Sequence, residues 1–170
     1  MNIALIGFRG TGKTTIAKLL AKKMDKKLIS TDKELEKKTK LSIEKFVKKH
    51  NWEKFREMEA DIIESISDFD GCIFDTGGGI ILRNENITNL RKNALIVLLT
   101  ADMKTIKSRI KSGPKRPALT KKGYIAEIAQ VMQEREPKYK NAADYTIDTS
   151  RLSPEDAAEL IIHYVRAELS

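Results

Sequence analysis

A chain of 170 residues that is 41% hydrophobic and 33% charged is long enough for one self-sufficient core and too apolar to be disordered. Its longest apolar run, Ala94–Leu99, falls far short of the roughly 18 residues a membrane span needs. The excess of 32 Lys+Arg over 24 Asp+Glu, a net +8, leaves polyanions as candidate partners: nucleic acid, an acidic membrane surface or phosphate-rich small molecules. No signal peptide fits the N-terminus, because Ile3–Ile6 is short and runs into a glycine-rich loop. The lone Cys72 staples nothing and reads as the buried thiol of a cytoplasmic protein.

No repeat, low-complexity stretch or proline-rich linker divides the chain, which predicts one domain over 1–170. Asn2–Ile6 is a first strand, followed by a loop and a helix from about Thr14 to Met24. Lys27–Ser30 is a second strand. Thr31-Asp32-Lys33-Glu34 has the form of a capping box and predicts the start of the next helix. Helices follow over Ser42–His50 and Trp52–Ser67, the latter with Phe55, Met58, Ile62 and Ile66 as its buried stripe. Cys72–Phe74 is a third strand, entered through Gly71 and closed by Gly77-Gly78-Gly79. Ala94–Leu99 is a fourth, its aliphatic run suited to burial on both faces. A helix over Asp102–Lys111 leads into Ser112–Gly123, which has no period and reads as a mobile basic loop. Helix returns over Tyr124–Arg135, with Pro137 as a break or kink. Tyr145–Asp148 is the last strand, and Ser153-Pro154-Glu155-Asp156 caps a final helix. Strands alternating with helices predict a parallel sheet covered on both faces, a three-layer α/β/α architecture.

Gly7-Phe8-Arg9-Gly10-Thr11-Gly12-Lys13-Thr14 matches G-x-x-x-x-G-K-[ST] between the first strand and first helix. Glycines let the backbone wrap phosphate oxygens, and the N–H groups at the helix start, Gly10 to Thr15, point at them. Lys13 would reach the terminal phosphates of ATP, and the Thr14 hydroxyl would ligate Mg²⁺. The chain has no N-K-x-D for guanine and is too short for a motor or helicase. A small chain with a basic mobile loop suits a small-molecule kinase, which must close over its nucleotide to exclude water.

Further segments fall into one pattern: Thr31-Asp32 before a helix, Phe55-Arg56 followed by Glu59, Gly77-Gly78-Gly79, Arg116-Pro117, and Arg135 followed by Tyr139. With the phosphate loop, and over nearly its full length, the chain resembles the shikimate kinase family. That resemblance implies a P-loop NTPase fold of the nucleoside-monophosphate-kinase-like type with a five-stranded parallel sheet. It implies ATP as co-substrate with Mg²⁺, and shikimate as the acceptor. It carries Arg56 and Arg135 to the acceptor carboxylate, and Asp32 and the Gly78 N–H, within Gly77–Gly79, to ring hydroxyls. Arg116 maps to a lid arginine on the ATP phosphates, and Arg109 and Pro154 to adenine contacts. The acceptor-binding helices are then expected over about 31–67 and the ATP lid over about 112–123. A monomer that binds neither nucleic acid nor membrane is expected.

The residues themselves supply reasons. Guanidinium forks suit a planar carboxylate, and Glu59 lies one helical turn from Arg56, where it can orient it. Asp32 could accept or orient the proton of a substrate hydroxyl. Other readings stay open: Asp32 suits a helix N-terminus by its charge alone, Arg56 could simply pair with Glu59 on a surface, and Arg135 could be solvated. His50 and His163 read as surface residues.

The chain also departs from the family. Its usual D-x-D after the second strand is Ser30-Thr31-Asp32 here, and Asp75 stands where Ser or Thr precedes the glycine triplet. If both strand ends face the phosphate loop, Asp75 replaces the lost carboxylate near Mg²⁺; otherwise it is only a strand-end acid. Asn51-Trp52 and Ala118 are further departures that bear on the acceptor. A kinase for another hydroxy acid or polyol is the alternative, and a regulatory or nucleic-acid-associated ATPase a more distant one.

Overall fold

The computed structural model describes residues 1–113 and 126–169. Its five strands are β1 (Asn2–Ile6), β2 (Lys27–Ser30), β3 (Cys72–Asp75), β4 (Ala94–Thr100) and β5 (Tyr145–Asp148). They pair in parallel throughout, in the order β2-β3-β1-β4-β5. Alternation along β1 explains the three layers. Ile3 and Leu5 point to one face and join a cluster with Ile16 and Leu20 of α1 (Lys13–Lys23) and Ile161 and Val165 of α8 (Pro154–Glu168). Ala4 and Ile6 point to the other face, with Phe74 and Leu98 beside them. There they meet Phe55, Ile63 and Ile66 of α4 (Trp52–Ile66) and Ile128 of α7 (Ala126–Ala142). Each of the Ile, Leu, Val and Phe side chains fully removed from water contributes about 1.5–3 kcal/mol.

Several boundaries differ from expectation for identifiable reasons. The helix α2 (Thr31–Thr39) is not held by a capping box. Ser30 occupies its N-cap without a side-chain bond, and Thr31 Oγ1 instead accepts from the Gly77 backbone N–H at 3.1 Å. Tertiary demand thus takes the hydroxyl that local chemistry would have used. In α4 the buried stripe is Phe55, Glu59, Ile62, Ile63 and Ile66, while Met58 is only half-buried. Helix α7 runs through Pro137, which the sequence reads as a break or kink. A proline ring removes one backbone bond, and the buried Val131, Tyr139 and Ala142 hold the helix on both sides of it.

Nothing was expected between the glycine triplet and β4, yet a 3₁₀ turn (Ile80–Leu82) and α5 (Asn84–Arg91) occupy it. The remaining helices, α3 (Ile43–Lys49) and α6 (Met103–Ser112), fall where expected, capped by Ser42 and Asp102. Ser153 caps α8, its Oγ accepting from Asp156 N, with Pro154 in the first turn. Among the described residues no helix is long and apolar enough to cross a membrane.

The topology fixes where a site can form. From central β1 the chain passes to outer β2, returns to β3, and then crosses to β4 on the other side. The loops after β1, β2 and β3 therefore gather at one sheet end, beside the point where strand order reverses.

Candidate active site

The loop after β1 is shaped by its glycines. Gly7 has φ +143°, and a Cβ there would lie 2.3 Å from the Leu99 carbonyl oxygen. Gly12, at φ +96°, is the N-cap of α1. Lys13 is buried, its Nζ donating to the carbonyls of Gly7 at 2.8 Å and Phe8 at 2.9 Å. The loop thus curls around its own cation, and Thr11 Oγ1 braces the curl by donating to Phe8 O at 2.8 Å.

Thr14 Oγ1 donates to Oδ2 of Asp75 at 2.8 Å. The β2–β3 register pairs Asp75 with Ser30, so the two positions of the suggested carboxylate exchange are direct neighbours. On the other side of the loop, Arg109 donates to Gly10 O at 3.2 Å and to Thr149 Oγ1 and O at 3.0 and 2.9 Å. Thr149 Oγ1 in turn donates to Thr11 O at 2.8 Å, tying the end of β5 to the loop. These groups line a cleft of about 810 Å³ that also includes Thr15 and Pro154. Arg116 and the expected lid lie outside the described residues, apart from Ser112 and Gly113.

A smaller cavity of about 40 Å³ adjoins the cleft, sharing Arg9, Asp32, Ile43, Gly77 and Gly78 with it. Arg56 is its most constrained group. Its Nη1 donates to Glu59 Oε2 at 2.8 Å, and its Cζ lies 5.2 Å from the Trp52 ring centroid and 5.0 Å from that of Phe55. A Cβ on Gly79 would come within 2.2 Å of that Cζ. Gly79 is thus small because the guanidinium lies against it. At Gly77 a Cβ would be 2.7 Å from Glu59 Oε1 and 3.2 Å from Asp32 Oδ1, so both carboxylates flank the same peptide.

Glu59 is 2% exposed, and its Oε1 has no hydrogen-bond partner among the described residues. Burial pushes its carboxyl above the usual carboxylate range, against the opposing pull of Arg56. From α7, Arg135 Nη1 donates to Gly78 O at 3.2 Å, and the Tyr139 hydroxyl donates to the same carbonyl. Burial lowers the Arg135 guanidinium from its ordinary value and pushes the Tyr139 phenol up to about 12.

The structure therefore gathers Arg56, Arg135, Asp32 and the glycine triplet around one cavity. Lys13, Thr14, Asp75, Arg109 and Pro154 lie around the other. His50 and His163 are exposed, and Cys72 is buried, as expected. The sequence reading missed the roles of Thr149, Arg9 and Glu127. Arg9 Nη2 donates to Oε1 of fully buried Glu127 at 3.2 Å, a pair with no periodic or local signal to reveal it.

A phosphate loop at the sheet's switch point, opening on a cleft that adjoins a carboxylate- and arginine-lined cavity, defines a P-loop kinase of the nucleoside-monophosphate-kinase-like type. The shikimate kinase family model matches residues 9–166. The chain is 43% identical over 161 residues to the shikimate kinase of Caldicellulosiruptor bescii, covering 95% of this chain and 93% of that one. It is 44% identical to that of Caldicellulosiruptor saccharolyticus with the same coverage. Among solved structures, it resembles shikimate kinase from Acinetobacter baumannii in complex with shikimate. That similarity has a TM-score of 0.92 at 27% identity, covering 98% of this chain and 93% of that one. The chain belongs to the shikimate kinase family.

Proposed function

We propose that the chain transfers the γ-phosphoryl group of ATP to a hydroxyl of shikimate, giving shikimate 3-phosphate and ADP in aromatic amino-acid biosynthesis. One observation carries this reading: the phosphate-loop cleft and the arginine-lined cavity share Asp32, Gly77 and Gly78 at their boundary. A donor phosphate and an acceptor hydroxyl can meet only there. ATP lies in the cleft, on the N–H groups of Gly10 to Thr15, with Lys13 at the terminal phosphates and Arg109 and Pro154 beside the base. The acceptor carboxylate takes Arg56 and Arg135, and its hydroxyls take Asp32 and the glycine triplet.

In the reaction the acceptor oxygen bonds to the γ-phosphorus, and the bond from phosphorus to the bridging oxygen breaks. The electron pair leaves on ADP, and the hydroxyl proton goes to Asp32. Lys13 and Arg116 neutralise the charge that develops. The helices over about 31–67 form the acceptor region and 112–123 the ATP lid. Both substrate regions come from one chain, which supports a monomer, and a single buried thiol suits the cytoplasm.

The adjacent Thr14 hydroxyl and Asp75 carboxylate are hard oxygen donors of the kind Mg²⁺ takes. They would hold the ion, which when bound helps neutralise phosphate charge. Asp75→Asn is expected to weaken Mg²⁺ binding by about tenfold, read both in calorimetric titration of the ADP complex and in the Mg²⁺ dependence of turnover. Adding Ser30→Asp, on the neighbouring strand position, should restore it. An unchanged Mg²⁺ affinity in Asp75→Asn contradicts the assignment.

Glu59 sets a pH dependence. As pH falls through its raised pKa the carboxylate protonates, Arg56 loses its orienting anion, and acceptor affinity drops. The acid limb of kcat/KM for the acceptor should therefore lie above the ordinary carboxylate value of about 4.3. In Glu59→Gln the part of the limb set by Glu59 should be lost, leaving only the limb of the Asp32 base, while acceptor KM stays raised at every pH. An acid limb unchanged in position in Glu59→Gln rules the role out.

The function itself is tested by ADP release with shikimate, gluconate, nucleoside monophosphates or no acceptor. Shikimate should stimulate release far above the others. Stimulation by another acceptor, or by DNA or RNA, would redirect the reading.

A further inference from the structure

Three arginines, Arg9, Arg56 and Arg135, line the small cavity, and of these only Arg9 also lines the nucleotide cleft. Arg9 is the third residue of the phosphate loop, and its backbone N lies 3.6 Å from where a Gly78 side chain would begin. It therefore stands where the phosphate loop touches the glycine triplet. Its side chain is only 13% exposed, and its guanidinium is held by two contacts. Nη2 donates to Glu127 Oε1 at 3.2 Å, and Cζ lies 5.6 Å from the Phe8 ring centroid.

A carboxylate is fully met by two guanidinium forks, which Arg56 and Arg135 supply. Glu127 pairs with Arg9 and holds it at the boundary of the two spaces. In the proposed reaction the phosphoryl group crosses that boundary with its charge spread over its oxygens. Arg9 and Asp32 are the charged residues common to both spaces among those described. The division of labour is then plain: Asp32 takes the acceptor proton, and a cation is needed for the group moving the other way.

Resting on the function proposed above, we propose that Arg9 hydrogen-bonds the phosphoryl group in transit and holds it on the phosphorylated product. Arg56 and Arg135 are left to the carboxylate. Glu127 is a positioning residue that keeps the Arg9 guanidinium at this boundary. A purely structural Arg9–Glu127 pair would affect both acceptor forms alike, whereas a phosphoryl contact separates them.

The test titrates wild-type protein, Arg9→Met and Arg9→Lys with shikimate and, separately, with shikimate 3-phosphate. Arg9→Met should bind shikimate as wild type does but its phosphate ester about tenfold more weakly, with kcat lowered about 100-fold. Equal losses for the two ligands, or no loss for the ester, overturn the inference. Should Arg9→Met lose its cooperative thermal transition, Arg9→Lys decides instead. It keeps a charge but not the fork, and should weaken the ester alone, by about threefold. If wild type turns over shikimate and the variants bind the ester normally, this inference fails alone. If wild type neither binds nor turns over shikimate, the proposed function fails and takes it along.

Discussion

Lys13→Ala is expected to lower kcat by about 10³-fold, corresponding to about 4 kcal/mol of lost transition-state stabilisation. The reason lies in where the ammonium sits. Its Nζ is held by the Gly7 and Phe8 carbonyls, at 2.8 and 2.9 Å, inside the curl proposed to receive the terminal phosphates. No other described side chain brings a cation into that curl by bonding its carbonyls on both sides. The same bonds mean that truncation leaves the Gly7 and Phe8 carbonyls without this donor and loosens the loop, which adds to the loss. Lys13→Arg separates the two causes. It keeps a charge and donors for those carbonyls but overfills the loop, so ADP should still bind while transfer stays low. Steady-state kinetics with calorimetric ADP binding checks both. Near-normal kcat in Lys13→Ala would remove the phosphate loop from the chemistry.

Arg56→Ala should raise the KM for shikimate by about 10²-fold, roughly 2.7 kcal/mol, and leave the KM for ATP within about threefold. Of the two spaces Arg56 lines only the smaller one, and not the cleft proposed to take the nucleotide. The structure has already met the cost of ordering it: Glu59 pairs with it, Trp52 and Phe55 lie across its faces, and Gly79 leaves it room. A long side chain held on so many sides loses little entropy when a carboxylate arrives. Arg56→Lys preserves charge but loses the planar fork, so its KM should fall between the two, about tenfold above wild type. Arg56→Ala also strands a buried Glu59 carboxylate, and the Arg56→Ala, Glu59→Gln double variant should recover stability without recovering acceptor affinity. Equal rises in both KM values would place Arg56 in the fold and not in the acceptor site.

How much of this was legible in the sequence depends on whether the cause was local. Strands β1, β3 and β4 were readable because each is a short, mostly apolar run bounded by Gly or polar residues. The phosphate loop was readable because a tight phosphate turn dictates glycine spacing. Helix α5 was missed because its apolar contribution is slight, chiefly Ile87 and Leu90 in an otherwise polar segment. Thr31 was misread because its hydroxyl serves Gly77 across the sheet, a partner far away in sequence.

The site divides in the same way. Arg56 with Glu59 was visible as a one-turn pair on α4. That Arg135 meets Gly78 from another helix could be expected only through family resemblance. The glycine triplet was expected to admit a ligand closely. The structure adds a different reason at Gly77 and Gly79, where Glu59 and Arg56 themselves fill the space. Ser30 and Asp75 suggested an exchange of carboxylates between strands, and the register makes them neighbours. Arg9 with Glu127 had no sequence signal, since their meeting depends on how α7 packs over the loop.

The net charge of +8 takes on a narrower meaning in this light. Lys13, Arg9, Arg56, Arg109 and Arg135 line two adjoining spaces. The paired surface lysines remain as a diffuse field that can steer anionic substrates inward, an effect that rising salt would weaken.

Phosphorus NMR of a reaction containing ATP and shikimate tests the central claim most directly. The account predicts that the γ-phosphate signal is replaced, one for one with ADP, by a phosphomonoester signal coupled to a single ring proton of shikimate. Release of inorganic phosphate in place of that ester would contradict it.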